Sequence, residues 1–276
     1  MEFLYTADRN RYRRMTTSEL RESYLIDGMF VPGEVTLCYT DVDRAIVGSA
    51  VPLKKPLTLP VHKELAADFF AQRREIGVIN IGGSGKISVD GESFDVDNRD
   101  SLYIGRGSKD VEFISNSEDN PAQFYILSYP AHTDYPTKLV KQADAKRLDL
   151  GSREESNKRV IRQSIRPGIV DTCQIVMGFT QLAPGSIWNT MPPHTHRRRS
   201  EIYMYFDLDE TANVFHLMGE PDETRSLVVR NGEAVVSPSW SMHSGAGTRN
   251  YTFIWGMGGE NQEFDDMDHI DMETLR

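Results

Sequence analysis

Along most of the chain, apolar and polar residues alternate in short runs broken by glycine, proline and aspartate. This period-2 pattern marks half-buried strands. The clearest run in the first half spans residues 75–129. It opens E-I-G-V-I-N-I-G-G-S-G-K-I-S-V-D-G-E-S-F-D-V, with hairpin signals at G-G-S-G and D-G. It continues as D-S-L-Y-I-G-R-G-S-K-D-V-E-F-I-S and P-A-Q-F-Y-I-L-S-Y, and two strand-like runs, G-M-F-V-P-G-E-V-T-L-C-Y-T and R-A-I-V-G-S-A-V-P-L, precede it. Residues 174–257 repeat the rhythm after K-R-V-I-R-Q-S-I. Strands spaced roughly 8–12 residues apart predict a sandwich or barrel. The expected fold is all-β and mainly antiparallel, with two β-barrels at 1–150 and 151–276. The linker falls within 135–156, where Pro136, a Lys/Asp-rich stretch and Gly151 interrupt the alternation. Only two stretches read as helix. One is capped by Thr16 or Thr17, with Glu19 or Glu22 near its first turns. The other covers 63–74, with Leu65, Phe69 and Phe70 as its apolar face.

Within the second half, W-N-T-M-P-P-H-T-H-R-R-R-S-E-I-Y-M-Y-F concentrates the chemistry. His194 and His196 stand two apart, so one strand carries both imidazoles on one face. Glu201 has the opposite parity, and a turn or bulge in R-R-R-S brings it back to the same interior. His243 follows 42 residues after Glu201 and is the fourth candidate ligand. Three imidazole nitrogens and a carboxylate suit Zn, Mn, Fe, Co or Ni. If Glu201 points inward, so do Tyr203 and Tyr205, while Ile202, Met204 and Phe206 pack on the other face. No H-x-H occurs in 1–150, where His62 and His132 lie outside the main strand run, so the first barrel is expected to be metal-free.

Composition narrows the function classes. The net charge is −10 and the pI about 5.2, which argues against nucleic acid as a partner. Two cysteines far apart, Cys38 and Cys173, argue against a disulfide framework and for a reducing, cytoplasmic setting. No run is long and apolar enough for a signal peptide or a membrane span. No G-x-G-x-x-G loop opens a helix, so a nicotinamide or flavin is not expected. Arg198 and Arg199, beside the ligands, have forks suited to a substrate carboxylate. Tyr203, Tyr205 and His216 are the side-chain candidates for the proton-transferring group, and a metal-bound hydroxide is the alternative to them. The acidic segment after G-M-G-G-E is either a lid over the barrel mouth or a subunit contact.

H-x-H-x4-E followed by Gly232, Pro238 and His243 resembles the paired motifs of metal-binding cupins, with Trp240 at a position usually held by glycine and a longer gap between the motifs. The extra length implies an added hairpin or loop. The strings N-T-M-P-P-H-T-H, S-P-S-W-S-M-H-S-G, Y-T-F-I-W-G-M and G-E-N-Q-E-F-D-D-M-D-H are more specific, as are R-R-E-I-G-V-I-N-I-G-G-S-G and P-A-H-T-D-Y-P-T-K. They resemble the 4-deoxy-L-threo-5-hexosulose-uronate ketol-isomerase family, also called 5-keto-4-deoxyuronate isomerases, over nearly the whole chain. The resemblance implies a cytoplasmic, hexameric bicupin of pectin degradation. It implies one Zn2+ per chain on His194, His196, Glu201 and His243. It further implies conversion of 5-dehydro-4-deoxy-D-glucuronate to 3-deoxy-D-glycero-2,5-hexodiulosonate through a metal-stabilised enediol. A cupin dioxygenase with the same donor set and a non-catalytic sugar-binding cupin are the rival classes.

Overall fold

One strand order occurs twice. In the computed structural model, which describes all 276 residues, a seven-stranded sheet runs Glu2–Leu4, Val35–Thr40, Ile46–Ala50, Phe124–Pro130, Arg74–Asn80, Ser101–Ile104, Lys138–Val140. It faces a four-stranded sheet ordered Leu57–Thr58, Val111–Ser115, Gly85–Val89, Glu92–Val96. The second barrel repeats the arrangement. Its seven-stranded sheet has Arg159–Ile165, Val176–Leu182, Thr252–Gly259, Arg199–Phe206 and Ala234–Ser237 at its centre. Its five-stranded sheet runs Glu223–Val229, Val214–Glu220, Met242–Gly247, Trp188–Thr195, Asp268–His269. Pairing is antiparallel except where Glu2–Leu4 lies parallel to Val35–Thr40. The all-β expectation holds. The D-G hairpin is a tight turn with both Asp90 and Gly91 at positive φ, which glycine tolerates at no steric cost. The interval between the two cupin-like motifs holds the hairpin Val214–Glu220/Glu223–Val229, the longer counterpart of Gly85–Val89/Glu92–Val96 in the first barrel, so the expected extra hairpin is not an added element.

Three apolar clusters follow from strand parity. Ile46, Ile76, Val78, Ile87, Phe113 and Phe124 fill the first barrel. Val176, Tyr203, Tyr205, Phe253, Trp255 and Met257 face into the second. The outward-facing residues of the two large sheets, among them Ile79, Leu127, Met177, Ile202, Met204 and Phe206, meet between the barrels. The predicted split of Tyr203 and Tyr205 from Ile202, Met204 and Phe206 is therefore observed. Gly256 belongs to this seam, because a Cβ there would stand 2.2 Å from Leu127 Cδ2.

Two expectations change. The division of the chain at 150 is displaced: Lys146–Leu150 already pairs with Arg159–Ile165, and Leu25–Ile26 pairs with Ala234–Ser237 in the second barrel. The N-terminal helices cross with it. Tyr12 donates to the Met218 carbonyl (2.9 Å) and stacks edge-on against Trp240, with ring centroids 5.2 Å apart. That contact gives Trp240 a packing partner from the N-terminal segment. The helix Thr17–Tyr24 is capped as expected, by a reciprocal Thr16–Glu19 box. The other correction concerns 63–74, which is not a helix. It forms the 3-10 turns Lys63–Leu65 and Phe70–Gln72, and Arg74 begins a strand. Ala66 turns left-handed and Phe69 is extended, which lets Phe70 and Ala71 reach the first barrel's core. Burial of one phenylalanine, worth about 1.5–3 kcal/mol, outweighs the small helix propensities of a short segment.

Candidate metal centre

Four side chains from three strand ends converge inside the second barrel. His194 belongs to Trp188–Thr195, and His196 lies just beyond it in the turn that crosses to the opposite sheet. Glu201 lies on Arg199–Phe206, so the R-R-R-S turn reconciles its parity by changing sheets. His243 is the cross-strand partner of His194. The ligand atoms lie within 4.8 Å of one another, and all four residues are buried. His194 Nε2 stands 2.9 Å from His196 Nε2 and 3.1 Å from His243 Nε2; Glu201 Oε2 stands 3.0 Å from His196 Nε2 and 2.8 Å from His243 Nε2.

This cluster is suited to a cation. Burial, then the neighbouring His243 and His196, pushes the His194 pKa down to about 2, so its ring is neutral with a lone pair to offer. Burial opposes ionisation of Glu201, but His243 and His196 outweigh it and hold the carboxyl well below its ordinary range. His196 Nδ1 lies 2.6 Å from the Asp266 carbonyl, which can only accept; Nδ1 therefore donates there, and Nε2 is the nitrogen that faces the cluster. Three imidazoles and one carboxylate, converging within 4.8 Å in a buried site, match the donor set of a borderline divalent ion.

The acidic C-terminal segment is the wall of this site. Asp268–His269 adds a strand beside His194, and Phe264, Met267 and His269 line the pocket. Arg198 is exposed and paired with Asp266 and Asp268. Arg199 is buried, with its fork on the carbonyls of Glu263 (2.5 Å), Phe264 (3.1 Å) and Asp266 (3.3 Å). Both arginines hold this segment against the ligands, and neither lines the pocket that the ligands open into. The carboxylate clamp expected of them has no support in this geometry, because neither reaches the pocket of the ligands and most of their donors are held by the C-terminal segment.

That pocket has a volume of about 250 Å³, smaller than the range usual for drug-sized ligands. Ile161, Phe253, Trp255, Met257, Phe264 and Met267 make it largely apolar, with Arg159, Thr180, Thr190 and Tyr203 as polar points. Of the three proton-transfer candidates only Tyr203 lines it, with its hydroxyl 2.9 Å from Thr190 Oγ1. Burial and then Glu201 hold the Tyr203 phenol well above its ordinary pKa, so it remains neutral. Tyr205 and His216 lie behind the pocket wall, bonded to each other at 2.7 Å. Burial and then His243 push the His216 pKa down to about 3, and it is a core residue. His62 and His132 join no cluster, and Cys38 and Cys173 are free and buried. Sequence reasoning missed Arg159, Thr190 and His269. Arg159 shares a face with the apolar Ile161, and that parity was its one signal.

The sequence matches the KduI/IolB family over residues 31–272. It is 55% identical, over the full length of both chains, to a 4-deoxy-L-threo-5-hexosulose-uronate ketol-isomerase from Lachnoclostridium phytofermentans. It is 49% identical, again over both full lengths, to the enzyme of that name from Halalkalibacterium halodurans. Among solved structures, an IolB-like protein from Salmonella typhimurium superposes with a TM-score of 0.71 at 12% identity, over 90% of this chain and 96% of the other. Bacillus subtilis oxalate decarboxylase superposes at 0.56 and 11%, over 79% and 70%, which reports shared fold alone.

Proposed function

The chain belongs to the KduI/IolB family, and from that premise we propose that it isomerises 5-dehydro-4-deoxy-D-glucuronate to 3-deoxy-D-glycero-2,5-hexodiulosonate in uronate degradation. The observation that carries this reading is the convergence of three imidazoles and one carboxylate on a small, largely apolar pocket. His194, His196, Glu201 and His243 would hold a divalent ion, which would supply Lewis-acid stabilisation of the negative charge that develops during the isomerisation. We take zinc as the resident ion on the strength of the family resemblance, and the same donor set accepts other borderline metals.

What remains is proton movement between neighbouring atoms of the substrate. A proton leaves the hydroxyl-bearing carbon, one arrives at the former aldehyde carbon, and the hydroxyl proton passes between the oxygens, so no oxidant is consumed. Glu201 stays ionised and takes no proton. Tyr203, neutral and hydrogen-bonded to Thr190, holds a proton at its phenolic oxygen in the wall of the pocket. Trp255, fixed by its Nε1 donating to Thr180 Oγ1 at 3.1 Å, helps the apolar wall exclude water from the reacting carbons. Tyr205 and His216 brace the strand behind Tyr203. Free, buried thiols support a reducing cytoplasmic setting, and the family resemblance supports a hexamer.

Purified protein incubated anaerobically with 5-keto-4-deoxyuronate in D2O tests the reading. Turnover without nicotinamide or flavin, with deuterium at the former aldehyde carbon and loss of rate on chelation, is the expected result. Strict dependence on O2 overturns it in favour of an oxygenase, and binding without turnover in favour of a sugar-binding module. Turnover without label retains the isomerase but replaces the exchangeable proton by a hydride shift.

A further inference from the structure

Arg159 is a cation without an anion. It begins the strand Arg159–Ile165 and shares a face with Ile161, and both line the pocket of the four ligands. Its one hydrogen bond runs from Nη1 to the Asn157 carbonyl at 2.9 Å, which leaves the other guanidinium donors free. No carboxylate comes within ion-pair distance, whereas Arg198 has two such partners and the Arg199 fork is spent on three carbonyls. The side chain is half-buried. Desolvation draws its pKa below the usual arginine value, against the opposing pull of Tyr203 and Tyr251. Every other pocket residue that can carry charge is one of the four ligands, Tyr203 or His269, so Arg159 is the pocket's one permanently charged cation.

Half-burying a guanidinium beside Phe253, Trp255 and Met257 is costly unless an anion joins it. A planar fork with free donors fits a carboxylate. We propose that Arg159 is the carboxylate-binding residue of the pocket, selecting sugar acids over neutral sugars while the four-ligand cluster engages the reacting end. The inference rests on the proposed function for the identity of the acid, and on the pocket alone for the anion subsite. Arg159 is a specificity residue here and moves no proton.

The test compares wild type with Arg159→Ala and Arg159→Lys. Two readouts are used: equilibrium binding of D-galacturonate and its neutral counterpart D-galactose, and kcat/KM on 5-keto-4-deoxyuronate and on the same sugar with its carboxylate reduced to an alcohol. Elemental analysis establishes that each variant keeps its metal. Arg159→Ala is expected to weaken uronate binding and kcat/KM by roughly 10- to 100-fold, the factor for a charge-assisted hydrogen bond, and to leave the neutral compounds within about twofold. Arg159→Lys keeps charge but loses the fork, so it lies between, which covers the case in which the alanine variant fails to fold. Equal losses on acid and neutral compounds, or no preference of wild type for the acid, overturn the proposal. A wild type that binds uronate through Arg159 without turning it over overturns the isomerase reading instead and leaves the subsite standing.

Discussion

The two barrels use matched strands in opposite ways. In the first, Arg74–Asn80 turns Ile76 and Val78 inward, and the interior is closed by hydrocarbon. In the second, Arg199–Phe206 occupies the same place in the strand order and turns Glu201, Tyr203 and Tyr205 inward. The strand that carries His194 has eight residues, while its counterpart in the first barrel, Leu57–Thr58, has two and bears no ligand. The first barrel also has a carboxylate on its matched strand, but one position out of phase. Glu75 points between the barrels and accepts from the backbone N–H groups of Cys173 (2.7 Å), Gln174 (2.7 Å) and Ile175 (2.9 Å) and from the Tyr103 hydroxyl (2.8 Å). A period of two thus separates a carboxylate that joins the barrels from one placed to hold a metal. The comparison teaches that duplicated architecture leaves function to parity and strand length.

The sharpest way to break this comparison is at the ligands. His243→Ala should remove most bound metal and lower kcat/KM by on the order of 10³-fold, about 4 kcal/mol, with far-ultraviolet circular dichroism unchanged. Elemental analysis should find one metal per chain in wild type, and two equivalents would mean that the first barrel holds a site of its own. The next effect is on stability. Glu75→Ala leaves two buried N–H groups, one part-buried N–H and a phenol without their acceptor and should cost about 3 kcal/mol in urea unfolding. If Glu75 only joins the barrels, the refolded variant at low denaturant should retain its full metal content; loss of metal in step with stability would tie the two carboxylates to one role. The smallest effect distinguishes the tyrosines. Tyr203→Phe should lower kcat by roughly 10- to 100-fold with metal retained, since its hydroxyl lies in the pocket where the first barrel has Val78. Tyr205→Phe, behind the wall, should change kcat by less than about threefold and act mainly on stability, through its lost bond to His216. Equal effects in both variants would remove Tyr203 from proton transfer.

Local pattern was enough for several features. Alternation predicted the strands and the facing of Tyr203 and Tyr205 against Ile202 and Met204, because a strand's side-chain period depends only on its own backbone. Thr16 or Thr17 with Glu19 or Glu22 announced a helix start because a capping box closes within four residues, and the structure selects Thr16 and Glu19. H-x-H with Glu201 and His243 pointed to one convergent cluster, since cross-strand neighbours in a barrel meet at fixed spacing, and the four residues do meet. Other features depended on surfaces far apart in the chain. Segment 63–74 has a helical composition, yet the first barrel's core draws Phe70 in and unwinds it. Leu25–Ile26 belongs by sequence to the first barrel and by hydrogen bonding to the second. Arg159, Arg198 and Arg199 carry the same chemical group, and only the fold decides which is paired with acids, which is spent on carbonyls and which faces the pocket alone. Period and capping are set by neighbours within a few residues, so the sequence states them directly. The partner of a long, charged side chain is set by whichever group, here 68 residues away in the Arg198–Asp266 pair and 70 in the Arg198–Asp268 pair, the closed barrel brings within reach.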